Sequence, residues 1–154
     1  MGWVDSLQGR VVGCDTMPLI YYIEEHPQYL SVVDPFFDAI ELGRLTVVTS
    51  IITLLEVLVH PFRDGDAKLA QKYRDILFES SGVETILLTQ KIAEEAAHLR
   101  AIYKLRTPDS IQMAMAITEG ASYFLTNDKV LPSLPQLKIL SMASLVNDQQ
   151  ESTE

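Results

Sequence analysis

The sequence has one cysteine, Cys14, in 154 residues, so no internal disulfide framework can staple the chain. A lone cysteine within an apolar strand is usually a small core residue. No apolar run approaches the roughly 20 residues that a membrane-spanning helix needs, so no membrane role is expected. The segment Met1–Arg10 carries Asp5 and has no apolar centre. It does not read as a secretory leader, which leaves the cytoplasm as the expected location. Glycine-rich phosphate loops are missing: neither G-x-G-x-x-G nor G-x-x-x-x-G-K-[ST] occurs. Basic residues are scarce, 12 against 21 acidic, giving a net charge of −9. Broad, non-specific attachment to phosphate backbones needs a basic surface, so overall charge lends no support to nucleic-acid binding. A site built from carboxylates with a small local basic rim is still compatible with it.

What the chain does have is core material. Apolar residues make up 47% and charged residues 21%, a balance that suits one globular domain. β-Branched runs alternate with segments of helical period. Strands are expected at Arg10–Asp15, Leu45–Val48, Val83–Leu88, Ser122–Thr126 and Leu137–Leu140. Helices are expected at Met17–Glu24, Val32–Leu42, Ile51–Val59, Asp66–Glu79 and Gln90–Leu105, and from Thr107 to Glu119. Ser50 stands where an N-cap belongs, and Pro61 is expected to end the helix that Ser50 begins. In Thr107-Pro108-Asp109, Thr107 reads as a cap, Pro108 as a first-turn residue and Asp109 as a complement to the helix dipole. Strands alternating with helices predict an α/β fold with a central parallel sheet of about five strands and helices on both faces. The domain is expected to span residues 1–146, with residues 147–154 a disordered acidic tail.

In such sheets ligands sit beyond the carboxyl ends of the strands, so residues at strand ends matter most. Asp15 ends the first strand, Asp128 follows the fourth, Asp109 opens a helix, and Glu56 lies in the helix after the second strand. Each has a local explanation: Asp15 as a cap, Asp109 as a dipole complement, Asp128 as an Asx-turn. Glu56 interrupts an otherwise apolar helix, on a narrow stripe shared with Thr53 and His60. That stripe reads equally as a solvent face or as the lining of a polar cavity. Clustered carboxylates repel one another and raise each other's pKa unless a cation sits among them. An all-oxygen donor set suits Mg²⁺ or Mn²⁺ rather than Zn²⁺, and such ions polarise phosphoryl oxygens and activate water.

Four segments carry a family resemblance. They are V-V-G-C-D-T-M-P-L-I-Y-Y-I, T-S-I-I-T-L-L-E-V-L, R-T-P-D-S-I-Q-M-A-M-A and F-L-T-N-D, in that order. Together they resemble the acidic stations of PIN domains, over roughly Val11 to Leu140. The resemblance implies a three-layer α/β/α PIN-like fold. It also implies a metal-dependent endoribonuclease that hydrolyses RNA phosphodiester bonds by in-line attack of water. It assigns the metal and the catalysis to Asp15, Glu56 and Asp109, with Asp128 as a fourth acid that often acts through water. It gives Thr16, Thr126 and Asn127 supporting positions. Many bacterial and archaeal members are VapC-type toxins, so a homodimer and an antitoxin protein that covers the active site are the implied partners.

Arg106 and Lys129 flank two of the acids. They read as phosphate contacts, or as partners of the nearby carboxylates. His60 reads as an exposed or helix-ending residue rather than a ligand, His26 as part of a surface turn, and His98 as packing. The stripe Leu69/Tyr73/Ile76/Leu77 fits either the core or a dimer face. A dehalogenase-like phosphatase would need D-x-D, and Met17 stands two residues after Asp15. A phospho-receiver domain would need an acidic pair where Cys14-Asp15 stands. The rival from another class is a catalytically silent PIN scaffold that binds protein or RNA; the four intact acids argue against it.

Overall fold

β-Branched segments alternate with helical ones along the chain, and they fold into a sheet between two helical layers. The computed structural model of the protein describes residues 2–146; the expected tail over 147–154 lies outside them. The strands are β1 (Val11–Cys14), β2 (Thr46–Ser50), β3 (Val83–Ile86), β4 (Tyr123–Thr126) and β5 (Lys138–Ser141). They form one sheet in the order β3-β2-β1-β4-β5, and every pairing is parallel. The helices are α1 (Thr16–Ile23), α2 (Leu30–Glu41), α3 (Ile51–Asp64), α4 (Ala67–Phe78), α5 (Gln90–Tyr103) and α6 (Thr107–Thr118). This is the expected α/β/α architecture. Among the described residues, no helix is long and apolar enough to cross a membrane.

The strands' alternation divides the core. On one face Val12, Cys14, Val47 and Leu125 pack with α1, α2 and α4 through Leu19, Phe36, Tyr73 and Leu77. On the other, Val48 and Phe124 pack with α5 and α6 through Ile92, Leu99, Met113 and Ala116. The stripe containing Tyr73 and Leu77 is thereby assigned to the core. Gly13 sets the closeness of the second layer. A Cβ at this position would stand 2.6 Å from Ala116 Cβ and 2.9 Å from Phe124 Cδ1, so α6 can lie against β1 only because no side chain intervenes.

Several local expectations are corrected. Pro61 does not end α3, which continues to Asp64. Proline removes one hydrogen bond, but the stop is made by Gly65 in the left-handed region at φ 67°. Asp66 N–H closes the turn on Pro61 O at 2.8 Å. Thr107 is not the cap of α6: Arg106 is extended and caps it, which makes Thr107 the first helical residue. β3 stops at Ile86, leaving Leu87 and Leu88 outside the sheet. Trp3–Leu7 forms a 3-10 helix, and residues 142–146 are helical; neither was foreseen. His98 is exposed, not packed.

Gly13→Ala is expected to destabilise the fold by about 1–3 kcal/mol, the scale of overpacking a filled core. Urea denaturation checks this: an unchanged midpoint would mean that α6 can shift without cost.

Candidate active site

In a parallel sheet all strands deliver their carboxyl ends to one edge. This sheet grows outward from β1 to β2 and β3 on one side, then to β4 and β5 on the other, so the order in which strands are added reverses between β1 and β4. That reversal opens a crevice at the carboxyl edge. Asp15 stands in it. Its N–H donates to Leu125 O at 2.9 Å, extending the β1–β4 ladder one residue beyond β1. Its extended backbone caps α1, and Oδ1 accepts from Thr16 N–H at 2.8 Å. Oδ2 accepts from the Thr126 hydroxyl at 2.8 Å. Both carboxylate oxygens are thus tied to neighbouring elements, and the cap reading of Asp15 holds.

Thr16 and Thr126 each make two contacts here. Thr16 Oγ1 donates to Glu56 Oε1 at 2.9 Å, linking the first two acids through one residue. Thr126 Oγ1 accepts from Asp128 N–H at 3.0 Å, and Asp128 Oδ1 accepts from Val130 N–H at 2.9 Å. The Asx-turn reading of Asp128 therefore holds, and it fixes the loop next to Asp15. Glu56 is exposed at the rim rather than buried in a cavity.

Asp109 is 6% exposed. Its carboxylate meets the Arg106 guanidinium, with Nε to Oδ2 at 2.9 Å and Nη2 to Oδ1 at 3.4 Å. Of the two expected roles for Arg106, pairing with an acid is the one this arrangement displays. Lys129 is exposed and forms no ion pair among the described residues. Asn127 donates from Nδ2 to the Tyr21 hydroxyl at 2.7 Å, while its Oδ1 is buried with no hydrogen-bond partner among the described residues. His60 is exposed and pairs with Asp64 at 3.2 Å.

Electrostatics tie the acids together. Burial pushes the Asp15 carboxyl above its ordinary value, and the charges of Asp109 and Glu56 push the same way. The hydrogen bonds from Thr16 and Thr126 oppose them. Arg106 is held more firmly protonated, first by its hydrogen bond and ion pair to Asp109, then by Asp128 and Asp15. Among the described residues, no three His, Cys, Asp or Glu side chains stand in an arrangement ready to hold one ion. The donors nonetheless have the right chemistry for a hard divalent cation: carboxylate oxygens only, with the Asp15 carboxyl raised by burial. Burial also raises the Cys14 thiol strongly, so it is an inert core residue rather than a nucleophile.

Sequence reasoning missed the polar layer beneath the acids. Gln112 is 1% exposed. It accepts from Ser50 N–H at 3.2 Å and donates to Thr53 Oγ1 at 2.7 Å. Thr49 Oγ1 donates to Cys14 O at 2.8 Å and lies 2.8 Å from Thr53 Oγ1, which lies 3.3 Å from Thr16 Oγ1. Thr49 and Thr16 have already directed their hydrogens elsewhere, so Thr53 donates its single hydrogen, and the shorter contact gives it to Thr49. The available signal was a glutamine one turn after Asp109 in the otherwise small and apolar run Ile111–Ala116.

A doubly covered parallel sheet with carboxylates at its reversal point defines a class, and the comparisons place the chain within it. Residues 13–137 match the family model of the PIN domain. No curated protein matches the chain. Among solved structures, a toxin–antitoxin complex from Klebsiella pneumoniae matches at 25% identity and TM-score 0.64, over 87% of this chain and 98% of that one. VapBC2 from Rickettsia felis, bound to a DNA fragment from its promoter, matches at 22% identity and TM-score 0.65, over 85% and 98%. DNA-bound VapBC from Salmonella typhimurium matches at 17% and 0.59, over 86% and 98%. The chain belongs to the PIN domain family.

Because the Asp15 carboxyl is raised on folding, the folded chain holds this proton to higher pH than the unfolded one. Stability from this group is therefore full below the ordinary carboxylate value of 3.8 and is lost as pH rises through the raised one. Without divalent metal, Asp15→Asn is expected to gain stability relative to wild type as pH rises above the ordinary carboxylate range. Thermal melts across pH check the sign; a difference that does not grow with pH would contradict it.

Proposed function

We propose that the protein is a Mg²⁺- or Mn²⁺-dependent endoribonuclease that hydrolyses RNA phosphodiester bonds. We further propose that it is the toxin of a cytoplasmic toxin–antitoxin pair. The observation that carries the reading is the gathering of acids around Asp15 at the crevice edge of a PIN-family chain: Thr16 links it to Glu56, and the charges of Asp109 and Glu56 both bear on it. Asp15, Glu56 and Asp109 are the residues that would hold the cation, with Asp128 acting through water. When bound, the cation offsets charge on the phosphate and lowers the pKa of water. The chain's own part is positioning. Thr16 and Thr126 fix the Asp15 rotamer, and Thr16 also holds Glu56 at the rim. Asp128 keeps negative charge at the mouth of the crevice, and Lys129 beside it offers a cation to a phosphate.

The toxin part is supported by the solved structures, which are toxin–antitoxin complexes whose toxin fold this chain shares. Leu55, Val59 and Phe62 form an exposed apolar stripe on α3, 62%, 46% and 60% accessible. Such a stripe suits a protein partner, a second copy of the chain or an antitoxin.

The test is cleavage of mixed RNA with Mn²⁺. Wild type is expected to cut, and chelation to stop it. Asp15→Asn and Asp109→Asn are each expected to lose at least about 100-fold in rate, the scale on which a single electrostatic stabiliser acts. A wild type that cuts nothing, with variants that bind RNA or protein equally well, would replace this reading with the silent scaffold.

A further inference from the structure

The acid that sits deepest at the edge of the site already has a cation on it, supplied by the chain itself. Asp109 is 6% exposed, and both of its carboxylate oxygens face the Arg106 guanidinium. The two residues lie three apart at the start of α6. A carboxylate this buried needs a positive partner. The partner is held loosely: the Arg106 side chain is 76% accessible, while that of Asp109 is 8%. An exposed guanidinium gives up an ion pair cheaply, because water and salt replace most of what it loses. No refolding is needed to release it, only rotation of one long side chain that already projects into solvent.

Arg106 also acts beyond Asp109, since the charges of Asp128 and Asp15 both bear on it. It therefore offsets part of the negative charge of the whole edge. A dication arriving there meets less attraction while the guanidinium is in place, and it meets an Asp109 whose oxygens are engaged. Lys129, which follows Asp128 in the chain, has no such pairing among the described residues.

We propose that Arg106 is a tethered competitor for the divalent cation: it occupies Asp109 in the metal-free protein, and metal loads the acidic edge by displacing it. The inference rests on the metal-dependent reading above and concerns when the site fills rather than what it cuts. It makes metal loading a swap between two cations on one carboxylate, in which the freed guanidinium is left at the mouth of the crevice.

The experiment compares wild type, Arg106→Gln and Arg106→Lys by calorimetric titration with Mn²⁺ and by thermal melts with and without Mn²⁺. Removing the competitor is expected to tighten Mn²⁺ binding by about three- to tenfold, the range set by an ion pair with one exposed and one buried member. Metal-free Arg106→Gln is expected to melt below wild type, because Asp109 is left buried and unpaired. Saturating Mn²⁺ is expected to close most of that gap. Arg106→Lys, which keeps the charge but not the planar fork, is expected to fall between the two. If Arg106→Gln binds Mn²⁺ no more tightly than wild type, or if its stability deficit is the same with and without Mn²⁺, the pair is merely structural and the inference fails while the nuclease reading stands. If none of the three proteins binds Mn²⁺, both fail together.

Discussion

Negative charge concentrated at one edge of the sheet is the constraint to which the surrounding structure answers. Parallel topology brings Asp15, Glu56, Asp109 and Asp128 to the same end of the molecule, and nothing in the backbone can spread them apart again. Every carboxylate there is met by donors. Thr16 and Thr126 donate to Asp15, Thr16 donates again to Glu56, and Asp109 is paired with Arg106. Those contacts lower the cost of holding the charges but do not cancel it for Asp15, whose carboxyl stays raised. A fold that tolerates such a cost at one edge while filling its two core faces mainly with apolar side chains has concentrated its electrostatic strain where chemistry is possible.

Beneath the acids lies a layer that is polar but contains no formal charge. Gln112 bridges α6 to the start of α3, and Thr49 and Thr53 continue the bridge to β1. These contacts are buried, so each mispairing would be expensive. They fix the angle at which α3 and α6 leave the sheet edge, and so the spacing between Glu56 and Asp109. Gly13 does the same from below by letting α6 rest directly on β1. The acids are thus set by two devices of different kinds, one directional and one steric.

Much of this was legible in the sequence because it depends on period and punctuation. The strand-to-helix alternation gave the layers, Ser50 marked the start of α3, and the position of Asp15 at the end of an apolar run marked the edge. Legibility failed where a local signal was outweighed by a neighbour. Pro61 reads as a stop, yet Gly65 four residues later supplies a cheaper one, and α3 packs on α4 across the interval. Thr107 reads as a cap, yet the backbone of Arg106 is already extended and takes that place. The pairing of Arg106 with Asp109 was one of two readings, and sequence spacing alone could not choose between them because both residues also border the crevice. The network through Gln112 was illegible for another reason: its partners Ser50 and Thr53 lie some sixty positions away, and no periodicity connects them.

The wide separation of these stations in the chain bears on the order in which the molecule comes into being. Thr126 and Asp15, hydrogen-bonded in the finished protein, are 111 residues apart. β4 pairs directly beside β1, so the central strand has an open flank until β4 has been made. Contacts of such long range form late and slowly. A nascent chain emerging from the ribosome therefore carries its acids on unconnected segments, and the edge exists only once the last third of the domain has joined the first. A product arrested before β4 lacks the pairing that forms the crevice, so whatever this edge does is confined to molecules synthesised at least through Thr126.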